Sequence, residues 1–274
     1  MIGRVAMGAA TVEFSDEGPR GGAPVVLLHG FTGSRETWRE LRGELSRSRR
    51  VVSIDLPGHG GTEAGADLES YSMRSAGAMV MTLMVDRLGA HRFGLVGYSM
   101  GGRLALWLAL AHPSRIEKLV LESASAGIAD DDERAQRRQS DEELAAFVES
   151  QGVAAFVERW ERNPLFDSLA VLDPAKRAEL RRVRLRCSPE GLARSLRAMG
   201  AGAQPWLGDR LAALSVPTLL VAGALDAKFC GLARAMVCAI ARARLEIIEG
   251  AGHLAHLERP AAFNRIVAQF LDEP

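Results

Sequence analysis

Neither sign of charge is in excess in this 274-residue sequence, where 34 Lys and Arg residues balance 34 Asp and Glu. That removes any general electrostatic ground for a nucleic-acid or anionic-membrane partner, and leaves anion binding to local clusters. No apolar run approaches the length of a membrane span, and Met1-Ile2-Gly3-Arg4-Val5 lacks the long apolar core of a signal peptide. Cysteine is scarce. Cys187, Cys230 and Cys238 are an odd number without metal-ligand spacing, so neither a disulfide framework nor a metal site is expected. Buried or reduced thiols fit a cytoplasmic protein. No internal repeat and no low-complexity tract is present. The length suffices for one large domain, or one domain with an inserted lobe, and for a substantial core.

The stretch Phe93-Gly94-Leu95-Val96-Gly97-Tyr98-Ser99-Met100-Gly101-Gly102 organises the rest. A β-forming run meets glycines and a serine, and an Ala- and Leu-rich helical pattern follows from Arg103 to Ala111. The spacing Gly97-x-Ser99-x-Gly101 predicts a strand, a sharp turn and a helix, with Ser99 at the tip in a strained conformation. The Met100 N–H, at the start of the helix, then points where an anion could form.

Along the chain, Val5 to Phe14 reads as an edge strand and Gly18 to Pro24 as a turn. Val25 to Phe31 is a continuous apolar run, as expected of a parallel strand covered on both faces. Trp38 to Leu45 has helical spacing, Val51 to Asp55 is strand-like, Tyr71 to Leu88 is helical, and Lys118 to Glu122 is a strand after the elbow helix. From Ser125 to about Leu207 no strand signal occurs; the stretch is charged, arginine-rich and helical, broken at Pro164, Pro174, Pro189 and Pro205. Strands resume at Val216–Gly223 and Leu245–Ile248, and a final helix runs from about Pro260 to Leu271. Strands alternating with helices predict an α/β fold, a mostly parallel sheet with helices on both faces. The core is assigned to residues 1–124 and 208–274, and a helical cap insertion to residues 125–207.

A serine hydroxyl needs a histidine to activate it, and the histidine needs a carboxylate to orient it. Of six histidines, His91 and His112 suit solvated or capping roles, His29 and His59 sit beside glycines in turns and read as loop-shaping, and His256 is ambiguous. His253, in Gly250-Ala251-Gly252-His253, follows a strand closely and comes late, while Asp226 follows the strand Val221-Ala222-Gly223. Asp226 could merely cap a helix and His253 could merely shape a turn. The order Ser99, Asp226, His253, each at the C-terminal end of a strand, is nonetheless the order of a nucleophile-elbow triad. Arg103 lies four residues after Ser99 on one helical face, in an otherwise apolar run. A buried guanidinium there must pair with a protein carboxylate or with a substrate carboxylate.

Over nearly its whole length the chain resembles the α/β-hydrolase family. That resemblance makes His29-Gly30-Phe31 the oxyanion-hole loop, with the N–H groups of Phe31 and Met100 as donors, and Leu56-Pro57-Gly58-His59-Gly60 the family's usual loop. Within the fold, further segments are similar to the 2-succinyl-6-hydroxy-2,4-cyclohexadiene-1-carboxylate synthase family of menaquinone biosynthesis. They are Gly97 to Arg103, Arg134 to Asp141, Trp160 to Leu169, Leu185 to Ser188, Asp226 to Phe229 and Gly252 to His256. The resemblance implies a carbon–oxygen lyase that eliminates pyruvate from a tricarboxylate, with Ser99, Asp226 and His253 catalytic. It also implies carboxylate binding by Arg103, Arg137 and Arg186, a pocket lined by Tyr98 and Trp160, charge from nearby Lys228, and no cofactor or metal. Arg134 and Arg138 flank Arg137, and Arg182 and Arg184 lie close to Arg186. The expected partner is a small-molecule polycarboxylate. The alternative is a serine carboxylesterase or carbon–carbon bond hydrolase acting on an acidic substrate.

Overall fold

A computed structural model describes residues 1–273. Eight strands form one sheet: β1 Ile2–Met7, β2 Ala10–Glu17, β3 Val25–Leu28, β4 Val51–Ile54, β5 Phe93–Tyr98, β6 Ile116–Glu122, β7 Thr218–Gly223 and β8 Ala243–Ile248. Their order is β1-β2-β4-β3-β5-β6-β7-β8, antiparallel at β1/β2 and β2/β4 and parallel elsewhere. The edge strand expected over Val5–Phe14 is in fact a hairpin. Gly8, at φ +62°, reverses the chain between β1 and β2, with Met7 paired to Ala10.

Side chains of the central strands alternate between two cores, as a pleated strand requires. Val26, Leu28 and Leu95 face one core with helices α2 (Met73–Met81), α3 (Met100–Ala111) and α7 (Ala227–Ala239). Val25, Leu27, Val96 and Val120 face the other with α1 (Arg39–Leu45) and α9 (Pro260–Asp272). Because both faces are covered, the strands read as unbroken apolar runs. The helix expected over Tyr71–Leu88 divides into a 3₁₀ turn at Leu68–Tyr71, then α2, then a π-helical turn at Thr82–Arg87.

Between β6 and β7 the described chain is helical: α4 (Asp131–Glu161), a 3₁₀ stretch at Pro164–Val171, α5 (Pro174–Leu185) and α6 (Pro189–Met199), then a 3₁₀ turn at Gly208–Ala213. Gly152, at φ 78° and ψ 169°, kinks α4. Ala145, Val148, Phe156, Val157, Leu192 and Leu196 give this segment an apolar centre of its own. One of its contacts with the core, at the loop after β4, is between two backbones. A Cβ on Gly58 (φ +82°) would collide with the Gly191 carbonyl, and a Cβ on Gly191 with that of Gly58.

Candidate active site

Ser99 follows β5 with φ 50° and ψ −111°, a conformation rare for a residue with a side chain, and α3 begins at Met100. The neighbouring glycines allow that turn to be tight. A Cβ on Gly97 would overlap the Gly101 carbonyl, and one on Gly101 would overlap the Leu28 carbonyl of β3. The Ser99 N–H donates to the Glu122 carbonyl of β6 at 2.8 Å. The serine is thereby fixed from the strand side.

The loop after β8 brings His253 Nε2 to 3.2 Å from Ser99 Oγ. His253 Nδ1 lies 2.7 Å from Oδ2 of Asp226, which follows β7. The other Asp226 oxygen accepts the Phe229 N–H at 3.1 Å and caps α7. Asp226 therefore both caps α7 and lies against His253, with one oxygen for each contact. His253 is 2 % exposed, and its ring is packed by Phe229 at 4.5 Å, Tyr98 at 5.3 Å and Phe166 at 6.2 Å. Burial, reinforced by the nearby Glu122 charge, pushes the Tyr98 phenol well above its ordinary pKa, so it is neutral.

The loop after β3 faces the serine. A Cβ on Gly30 would meet the Tyr98 ring and lie 3.4 Å from Ser99 Cβ. The N–H groups of Phe31 and Met100 find no acceptor among the described residues. The Phe31 ring packs edge-on against Trp160 at 5.4 Å, and Trp160 stacks on Phe156 at 5.8 Å. Trp160 Nε1–H is buried without an acceptor. His29 and His59 shape loops, as expected: His29 Nε2 accepts the Leu56 N–H at 2.9 Å, and His59 Nδ1 lies 3.0 Å from the Pro57 carbonyl. Burial lowers their pKa values to about 4 and about 3.

Arg103 has neutral protein partners. Its side chain is buried, and its guanidinium donates to Gln204 Oε1 at 3.2 Å and to the Met199 carbonyl at 3.0 Å, both neutral. No carboxylate among the described residues pairs with it. Burial, aided by the neighbouring Arg137 charge, lowers its pKa to about 10. Arg137 itself is held by Asp141 at 2.9 Å.

The other cap arginines fall differently from expectation. Arg186 is exposed at the end of α5, because the buried stripe of that helix runs through Leu180, Val183 and Arg184. Arg184, 3 % exposed, is the residue brought to the aromatic wall. Its guanidinium carbon lies 5.0 Å over the Phe166 ring, Nη1 is 3.1 Å from Glu161 Oε1, and Nε is buried without a partner. Burial lowers its pKa, and Glu161 opposes that shift. Arg134 and Arg138 bond backbone carbonyls of Ile128 and Gly202. Lys228 is exposed on the first turn of α7 with its ammonium 6.0 Å over the Phe229 ring, so it stands outside the buried triad. His256, ambiguous from sequence, is buried against Glu122 at 2.9 Å.

All three thiols are free, with Cys187 and Cys230 buried and Cys238 exposed. Among the described residues no cluster of three or more His, Cys, Asp or Glu side chains could hold a metal ion, and no helix is long and apolar enough to cross a membrane.

Residues 23–260 match the alpha/beta hydrolase fold family. A Bacillus subtilis (strain 168) protein assigned as a 2-succinyl-6-hydroxy-2,4-cyclohexadiene-1-carboxylate synthase is 41 % identical over 257 residues, covering 94 % of this chain and 93 % of that one. The chain belongs to this synthase family of α/β hydrolases. The family assignment extends to structure: MenH from S. aureus superposes with a TM-score of 0.90 at 32 % identity, over 94 % of this chain and 97 % of that one. A thermophilic esterase from Thermogutta terrifontis, with malate bound, reaches a TM-score of 0.85 at 26 % identity, over 99 % and 98 % of the two chains. A hydrolase and a family synthase thus share this backbone, and only the side chains of the site can separate their chemistries.

Proposed function

We propose that this protein is a carbon–oxygen lyase that eliminates pyruvate from 2-succinyl-5-enolpyruvyl-6-hydroxy-3-cyclohexene-1-carboxylate, giving the product for which its family is named. The observation that carries this reading is the pairing of a complete Ser–His–Asp line with Arg103, a buried guanidinium that has no protein carboxylate. A buried cation needs an anion, and a substrate carboxylate supplies it with bidentate geometry.

In this mechanism His253 Nε2 takes the Ser99 hydroxyl proton, and Ser99 Oγ removes a proton from the carbon next to the succinyl carbonyl. Asp226 holds the imidazole in the required tautomer through Nδ1. The electron pair moves onto the carbonyl oxygen, where the N–H groups of Phe31 and Met100 form the oxyanion hole. It then returns to form a double bond to the next ring carbon, the existing ring double bond shifts one position along, and the carbon–oxygen bond to the enolpyruvyl group breaks. The released enolate takes up a proton on its methylene carbon to become pyruvate. Arg103, Arg137 and Arg184 bind the substrate's carboxylates, and Tyr98 and Trp160 line the pocket. The partner is thus a small polycarboxylate, and no metal or cofactor enters the scheme.

The test is to incubate the pure protein with the enolpyruvyl substrate and follow pyruvate release with lactate dehydrogenase, Ser99→Ala serving as control. Serine-dependent pyruvate release supports the lyase. Its absence, together with ready hydrolysis of short acyl esters, would favour the carboxylesterase reading that the malate-bound esterase neighbour suggests.

A further inference from the structure

We propose that Glu258 is a positioning residue for His253, through which a buried carboxylate sets the imidazole's place relative to Ser99. The inference rests on Ser99, His253 and Asp226 being the reacting triad, and on nothing about the substrate.

Glu258 ends α8 (Ala255–Glu258) and is 5 % exposed. No cation among the described residues pairs with it. A buried carboxylate without a cation is costly unless hydrogen bonds satisfy its lone pairs. Its two oxygens do so on two peptides only. Oε2 accepts the Gly252 N–H at 2.7 Å, and Oε1 accepts the Leu254 N–H at 3.1 Å. These are the amides immediately before and after His253. The Glu258 N–H donates back to the Leu254 carbonyl at 2.9 Å, closing the turn. The carboxylate therefore brackets the one residue whose placement decides the proton transfer.

The bracket is anchored to the nucleophile as well. Glu122 accepts the His256 N–H at 3.0 Å with its side chain and the Ser99 N–H at 2.8 Å with its carbonyl. The histidine loop and the serine turn thus share one strand end as their reference. On the opposite side the loop is crowded by Ser168, which a Cβ on Gly252 would strike. A ring nitrogen 3.2 Å from its hydroxyl partner is at the long end for such a bond, so small displacements of the loop have large kinetic effects. A glutamine retains one carbonyl acceptor but presents an NH₂ to the second amide, and an aspartate is one methylene short. Each substitution releases one side of the bracket.

The experiment compares wild type, Glu258→Gln and Glu258→Asp by the rate at which an alkyl fluorophosphonate modifies Ser99, by kcat and KM for pyruvate release, by thermal melting, and by the downfield proton resonance of the His253 Nδ1–Asp226 hydrogen bond. The expected result for Glu258→Gln is a drop of about tenfold or more in both phosphonylation rate and kcat. KM should stay within about twofold, the melting temperature should be nearly kept, and the downfield resonance should be broadened or shifted. Glu258→Asp should fall between. Rates within about twofold of wild type in a folded variant overturn the proposal, as does a loss confined to melting temperature with the resonance unchanged. Should Glu258→Gln fail to fold, Glu258→Asp decides. Amide exchange in the wild-type protein is a third arm, since free exchange at Gly252 and Leu254 would also overturn the bracket. The phosphonylation arm reads the triad even if no pyruvate is released, which separates failure of this inference from failure of the proposed reaction.

Discussion

Asp226 divides its carboxylate between two tasks: Oδ2 lies 2.7 Å from His253 Nδ1, and Oδ1 receives the Phe229 N–H at 3.1 Å. The two tasks separate by substitution. Asp226→Asn keeps the oxygen that caps α7 but presents an amide to the imidazole, so kcat should fall by about 10³–10⁴ with little change in melting temperature. Asp226→Ala should lose both, with about 1 kcal/mol of stability removed along with the cap. Steady-state kinetics beside thermal denaturation of the two variants checks this.

Arg103 is the next point of separation. Arg103→Met keeps the apolar stem and removes the charge, so kcat/KM for the polycarboxylate should fall by about 10²-fold, corresponding to roughly 2–3 kcal/mol of charge-assisted hydrogen bonding. Hydrolysis of a neutral acyl ester, or phosphonylation of Ser99, should change little. Equal losses on charged and neutral substrates would remove Arg103 from carboxylate binding.

Arg184 is occupied where Arg103 is free of any carboxylate. Glu161 holds it at 3.1 Å, so a substrate carboxylate arriving at Arg184 must compete with a resident one. Glu161→Gln should therefore lower KM several-fold at nearly constant kcat, and Arg184→Gln should raise it. A higher KM in Glu161→Gln would assign Glu161 to aiming the guanidinium instead.

Acid sensitivity follows from two of the buried imidazoles. His29 and His59 have folded pKa values of about 4 and about 3, below the ordinary histidine value of 6.5. The unfolded chain therefore binds their protons first. Their contribution to stability is complete above pH 6.5 and is lost as pH falls toward 4, at about 1.4 kcal/mol per pH unit for each ring. As pH falls from 6.5 to 5 the two-ring slope rises to about 2.7 kcal/mol per pH unit, and His59→Gln should halve it to about 1.4. Urea midpoints across that window measure it.

The elbow turn and the meeting of Ser99, His253 and Asp226 were legible in sequence because each rests on a local signature: the Gly97-x-Ser99-x-Gly101 spacing and two polar residues closely following short apolar strands. The placement of Arg184 was legible in principle. It shares the helical stripe of Leu180 and Val183, whereas Arg186 falls off it. The family resemblance of Leu185 to Ser188 points to Arg186 instead. The β1/β2 hairpin was marked by Gly8 in a run read as one strand. Glu258 and Glu122 carried no local signal, because their roles exist only once β6 and the loop after β8 meet. Glu258 reads as an ordinary acidic residue before Pro260. Lys228, two residues after Asp226, falls on the exposed side of a starting helix.

The Gly58–Gly191 contact sets the helical segment main chain to main chain against the loop after β4. Side chains such as Phe166, Leu169, Met199 and Leu207 pack the rest of it into the two sheet cores. Exchanges at half-buried positions such as Glu161 leave that backbone contact untouched, whereas any side chain added at position 58 or 191 would push the two main chains apart and shift every residue the segment carries.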